Sequence, residues 1–92
     1  MKIEFLPSFV EKLDSQISYI AKDKPSAARE FKNSLIKKCR ELVEFPYKYQ
    51  KSKYFDDENI RDLIFMGYTI IYKIDEDRIR VFAITKYEEF KA

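Results

Sequence analysis

Tyr47, Lys48, Tyr49, Lys51, Lys53 and Tyr54 interleave cations with aromatic rings in a stretch that carries no acid. Lysine supplies contacts to phosphate and tyrosine stacks on bases, the pairing that single-stranded nucleic-acid sites use. The same residues also describe a basic surface loop whose tyrosines lie back on a sheet edge, and both readings stand at this level. Arg61, Arg78 and Arg80 fall in β-like segments, where a partly buried guanidinium needs a partner. Arg78 adjoins Asp75-Glu76-Asp77 and is expected to pair with that turn. Arg61 and Arg80 either pair with Asp62, Asp75, Asp77 or Glu88 or contact a ligand. The acidic clusters Asp56-Asp57-Glu58 and Asp75-Glu76-Asp77 suit solvated turns, and neither has the ligand spacing of a calcium loop.

Other chemistry is excluded by residue type. The chain has no His, one Cys and one Gly. His-based triads, His-containing zinc sites, an internal disulfide framework and a Gly-rich phosphate loop are therefore out of reach. Cys39 falls on an apolar helical stripe and is expected to pack as a small hydrophobe. The net charge of +2 is far from that of a dedicated duplex-DNA binder. The opening segment has no long apolar run, so neither a signal peptide nor a membrane anchor is expected, and the chain reads as cytoplasmic.

These residues need elements to position them, and 92 residues suffice for one core and one domain, residues 1–92. Residues 2–6 alternate as a short strand stopped by Pro7. Ser8, with Glu11 three residues on, forms a capping box for a helix running to about residue 22. Val10, Leu13, Ile17 and Ile20 form its apolar stripe. Pro25 restarts the chain at a first helical position. Ala28, Phe31, Leu35, Cys39 and Leu42 then recur at helical spacing until about residue 44, where Pro46 excludes helix from the preceding residue. Residues 46–58 read as a loop. Residues 59–65, 68–74 and 78–85 read as strands rich in β-branched and aromatic residues, joined by Met66-Gly67 and Asp75-Glu76-Asp77 as an antiparallel meander.

The resulting fold class is α+β with element order β-α-α-β-β-β: a mainly antiparallel four-stranded sheet with a helical hairpin on one face. That hairpin brings the chain back to the end of the sheet it left, so the first strand is expected to pair antiparallel as well. Strict alternation puts Arg61 with Leu63 and Phe65, and Ile79 with Val81 and Ala83, leaving Arg80, Phe82 and Ile84 on the opposite side. The uncovered face is expected to meet water or a ligand.

With these elements in place, the chain resembles the toxins of the RelE/ParE superfamily, and is closer to the ParE branch. The likeness runs through Tyr19-Ile20-Ala21, Pro25-Ser26-Ala27-Ala28 with Phe31, and Leu42 followed by Pro46. It continues through Ile60-Arg61-Asp62-Leu63, the run from Gly67-Tyr68-Thr69 to Ile74, and Arg78-Ile79-Arg80-Val81. The resemblance implies a growth-inhibiting toxin of a type II toxin–antitoxin system, neutralised by a cognate antitoxin that wraps it with a helix and an extended segment. ParE-like members poison DNA gyrase and need no catalytic constellation. RelE-like members are endoribonucleases that cut messenger RNA on the ribosome. A degenerate member that binds only its antitoxin is a third alternative.

The RelE-like alternative asks for an Arg directly after the Gly-Tyr of the third strand, where this chain has Thr69. It also asks for basic residues after the last strand, where this chain has Lys86 and Tyr87 followed by Glu88 and Glu89. RNA cleavage needs a base for the 2′-hydroxyl and a cation for the phosphorane. The candidates for those roles are Lys51, Lys53, Arg80, Lys86 and Tyr87. Target contact is expected at Lys51, Lys53, Arg61 and Arg80. No metal, small-molecule cofactor or membrane partner is implied.

Overall fold

Proline opens both helices of the computed structural model, which describes residues 1–86. Strand β1 (Lys2–Phe5) leads into α1 (Pro7–Ala21). A short break leads to α2 (Pro25–Arg40), whose end tightens into a 3-10 turn, Glu41–Val43. Strands β2 (Ile60–Phe65), β3 (Tyr68–Ile74) and β4 (Arg78–Lys86) follow. Helix α1 starts at Pro7 with Leu6 as its N-cap and no side-chain cap, so the expected Ser8–Glu11 capping box does not form. Proline removes one of the unpaired amides of the first turn, its fixed φ already suits the first helical position, and the carbonyl of Leu6 accepts from the amides of Phe9 and Val10. Ser8 is thereby freed, and its hydroxyl donates to the carbonyl of Phe82 at 2.8 Å.

The earlier start also changes which side of α1 faces inward. Phe9 and Leu13 are buried, Ile17 and Ile20 are half-buried, and Val10 is 39% exposed. At about 100° per residue, Phe9, Leu13 and Ile20 share one line and Val10 stands about 80° off it. The expected burial of Val10 is therefore wrong. From α2 and the turn after it, Phe31, Leu35, Cys39 and Leu42 complete the helical side of the core. Leu63, Ile70, Tyr72, Ile74, Ile79, Val81 and Ile84 supply the sheet side.

The sheet order is β1-β4-β3-β2, with antiparallel pairing of β2 to β3 and β3 to β4. Strand β1 pairs with β4 in parallel, Lys2 opposite Arg78 and Phe5 opposite Val81, which corrects the expected antiparallel pairing. The cause lies in the 46–58 loop. Lys51 forms an antiparallel bridge with Arg61. Ser52 N–H donates to Ile60 O and Asp62 N–H to Gln50 O. The loop thus runs back along the edge of β2, and that extra pass reverses every strand that follows.

Ile71 lies opposite Ala83 but Tyr72 lies opposite Val81, so Phe82 is an extra residue in β4. Such a bulge flips the phase of alternation. Ile84 consequently faces Ile70 in the core, rather than sharing the outer side with Arg80 as strict alternation required. At the β2–β3 hairpin, Met66 and Gly67 both have positive φ, 49° and 82°. That is the requirement of the I′ turn, whose twist matches the strands it joins.

The face turned away from the helices is not left bare. Asp62, Thr69, Ile71 and Thr85 are buried there, and the loop crosses part of it. Lys53 N–H donates to Asp62 Oδ2 at 3.2 Å, and Phe55 packs edge-on against Phe82 at 5.7 Å between ring centroids.

Candidate functional site

The cations singled out in the sequence occupy three separate places. Lys51 and Arg61 sit together at the β2 edge. Lys51 Nζ lies 3.0 Å from Asp56 Oδ1 and 3.9 Å from Glu58 Oε1. The hydrogen bond and charge of Asp56 raise the Lys51 pKa, and the same contact lowers that of Asp56. Arg61 is more deeply engaged, its side chain 15% exposed. Its Nε donates to Glu58 O at 2.9 Å and its Nη1 to Tyr49 O at 3.0 Å, while the guanidinium lies 4.8 Å from the Tyr47 ring centre. Tyr47 OH in turn donates to Asn59 Oδ1 at 2.6 Å. Behind this layer the buried Tyr72 donates its phenol to Pro46 O at 2.7 Å, and burial raises its pKa. Tyr47 and Tyr49 are therefore part of the clamp on the loop, and Tyr49 packs on the core.

Arg80 projects from the other face of the sheet. With strands about 4.8 Å apart, β4 lies roughly 14 Å from the Lys51 strand. Arg80 Nε is 3.4 Å from Asp75 and 3.5 Å from Glu4, and Arg78 shares Glu4 and reaches Asp77 at 3.3 Å. Lys73, beside Arg80 in the ladder, reaches Asp57 at 4.0 Å. Alternating charges thus cross the strands of this face. Lys86 ends β4 opposite Tyr68, on the side the bulge has turned toward the helices, with its Nζ 5.4 Å from the Tyr19 ring centre. Lys53 is exposed, its Nζ 5.3 Å from the Tyr54 ring centre. Tyr87 and Glu88 lie outside the described residues. Among the described residues, Lys51, Arg80 and Lys86 lie at different edges and faces of the sheet and do not converge.

Three groups inside the fold bear on nucleophilic or acid–base chemistry. Burial pushes the Cys39 thiol up to about 12, so it is protonated and inert at neutral pH. Thr69 is fully buried on the sheet face turned away from the helices, and among the described residues neither its hydroxyl nor Asp62 Oδ1 has a hydrogen-bond partner. Among the described residues no cluster of His, Cys, Asp and Glu is placed to hold a metal ion.

A second concentration of charge escaped the sequence reading. Helix α2 carries Arg29, Lys32, Lys37, Lys38 and Arg40 against the single acid Glu30. Among the described residues none of these five lies within 4.0 Å of a carboxylate, whereas each strand-borne arginine does. The signal lies in the sequence itself, in the five cations set against one acid along α2.

A family model described as "ParE toxin of type II toxin-antitoxin system, parDE" matches residues 3–89. The chain belongs to the ParE toxin family. The fold is that of a solved ParE-related structure, titled "Chromosomal ParDE TA system from P. aeruginosa". It matches at a TM-score of 0.78 with 11% sequence identity, over 94% of this chain and 95% of the other. No curated protein matches the sequence at a significant level. As in the ParE-like expectation, the fold is two helices on a mostly antiparallel sheet. No helix among the described residues is long and apolar enough to cross a membrane.

Proposed function

We propose that this chain is the growth-inhibiting component of a type II toxin–antitoxin pair, that it acts in the cytoplasm by binding and poisoning DNA gyrase, and that a cognate antitoxin neutralises it. The observation that carries this reading is the ParE family match across residues 3–89. The separation of the candidate cations supports it. A nuclease needs its general base and its phosphorane-stabilising cation on one reacting centre, and Lys51, Arg80 and Lys86 lie at different edges and faces of the sheet. A binding toxin needs only a surface.

Target contact is assigned to Lys51, Lys53 and Arg80, which project from the loop and the outer sheet face. Arg61, taken up by Glu58 and Tyr49, contributes by holding the loop that presents Lys51. For the antitoxin, β1 is an outer strand, while the loop already occupies the Ile60–Asp62 part of the β2 edge, and an extended segment adding to an edge is an established mode of recognition. An amphipathic helix would lie along the helical hairpin, its cost of ordering met by the contacts it makes.

Inducible expression in a bacterial host tests the reading. Filamentation with DNA damage is the expected result, relieved by coexpression of the small adjacent open reading frame. Rapid arrest of translation with codon-positioned cleavage of messenger RNA would replace gyrase by the ribosome. Normal growth would refute toxicity.

A further inference from the structure

Four of the α2 cations share one side of the helix. At about 100° per residue, Arg29, Lys32, Lys37 and Arg40 fall within an arc of roughly 140°, centred roughly 130° away from the buried side marked by Phe31, Leu35 and Cys39. All four are exposed, and none takes part in an ion pair among the described residues. They form two pairs along the axis. Lys37 follows Arg29 by eight residues and Arg40 follows Lys32 by eight, so at about 1.5 Å per residue the pairs stand roughly 12 Å apart. Asn33 is exposed between them, whereas Ile36 turns its apolar surface to the core. Arg40 is held with its guanidinium 5.7 Å from the centre of the Phe5 ring, a contact that orients the cation through its π-facing side and leaves its N–H donors available.

We propose that this side of α2 binds the phosphate backbone of duplex DNA, with Arg29 and Lys32 on one wall of a major groove and Lys37 and Arg40 on the other. That groove is about 12 Å wide and admits an α-helix, so the spacing of the two pairs matches its walls. A protein partner suits the surface less well. Protein interfaces are anchored by aromatic or apolar side chains at their centre, and the centre here is the polar Asn33. Phosphate contact asks only for cations and polar donors. Glu30 stands about 90° round the helix from the centre of the four cations. Glu41 and Glu44 follow in the next turn and repel phosphate beyond Arg40, which confines the contact to one groove. The net charge of +2 conceals this patch, because the acidic turns at residues 56–58 and 75–77 offset it. For the identity of the duplex, the DNA engaged by gyrase, the inference rests on the proposed gyrase target; the phosphate chemistry of the surface does not.

The test uses the full chain and a fluorescein-labelled, mixed-sequence DNA duplex of about 20 base pairs, read by anisotropy. Four phosphate contacts predict a slope of log K against log salt of about −3.6, a loss on the order of 100-fold between about 50 and about 200 mM NaCl. R29Q/K32Q should weaken binding at least tenfold at the lower salt and bring the slope to about −1.8. An unchanged circular-dichroism spectrum establishes that R29Q/K32Q is folded. No binding at the lower salt, a slope near zero, equal binding to folded R29Q/K32Q, or a poly-Glu peptide that competes as well as unlabelled duplex each overturns the proposal. Inhibition of gyrase supercoiling in vitro reads the target assignment separately. A chain that binds the duplex through these residues but leaves gyrase active keeps this surface and loses that target. A chain that inhibits gyrase but does not bind the duplex keeps the target and loses this surface.

Discussion

Arg61 Nη1 donates to the carbonyl of Tyr49 at 3.0 Å, and through this bond the edge of β2 holds the loop that runs beside it. The same guanidinium donates through Nε to Glu58 O at 2.9 Å. Two turns of the loop are thus fastened to one side chain. Removing it strands two carbonyls that had charged donors. Arg61→Ala should cost about 2 kcal/mol in urea denaturation, the usual worth of hydrogen bonds to a charged group. Arg61→Lys should recover only part of it, because an ammonium cannot reach both carbonyls with a planar fork. An unchanged urea midpoint for Arg61→Ala would show that the loop is held by other contacts.

The β2–β3 turn offers a change in the opposite direction. Met66 is 70% exposed and occupies the left-handed region at φ 49°, so its side chain loses little packing while its backbone is strained. Met66→Asn, which places Asn-Gly in a turn of I′ type, should stabilise the fold by about 1 kcal/mol. Gly67→Ala should destabilise it by a similar amount. An added Cβ would meet no atom within 4 Å, so the cost is one of backbone alone. Thermal melts of both variants check the pair of signs.

Burial of Cys39 predicts an alkaline limit to stability. The native thiol holds its proton up to about 12, whereas the unfolded thiol releases it near 9.0. Between these values the unfolded state binds fewer protons than the native state, so stability falls as pH rises. Urea midpoints measured from pH 8 to pH 11 should decline, and Cys39→Val should decline less steeply. At pH 8 a thiol-specific reagent should label the native chain far more slowly than the urea-unfolded chain, and rapid native labelling would remove Cys39 from the core.

Much of the fold was legible because its signals are local. The apolar spacing of Phe31, Leu35 and Leu42 and the β-branched runs of β3 and β4 each name their own element. What escaped depends on relations between distant segments. Residues 50–52 have no strand-like alternation of their own, since Lys51 joins the sheet only through pairing with Arg61. Missing that pass gave β1 the wrong direction. Pro7 and Ser8 both fit a helix start, and only the fold shows the Ser8 hydroxyl taken up by Phe82, far away in sequence, rather than by a cap. The bulge at Phe82 leaves no mark on the alternation of β4 taken by itself. For the candidate site, the pairings of Arg78 with Asp77 and of Arg80 with Asp75 were among those the sequence offered, whereas Lys51 looks like a free cation until the fold sets Asp56 beside it, and Glu4 joins the arginines only through the pairing of β1 with β4.

That pairing sharpens the test of the target surface. Lys51 and Arg80 are held in exposed ion pairs, with side chains 38% and 47% accessible, and pairs of this kind add little to stability while fixing where a cation points. Replacing Lys51, Lys53 and Arg80 together by Ala should therefore leave the urea midpoint nearly unchanged. Growth inhibition on induction should be relieved if these side chains make the target contact. Arg61 is left intact in this variant, because its loss would release the loop and confuse a binding defect with a folding one. The check is a growth curve under induction, paired with a denaturation curve of the purified triple variant. A folded variant that inhibits growth as strongly as the wild-type chain would remove the target contact from the loop and outer sheet face.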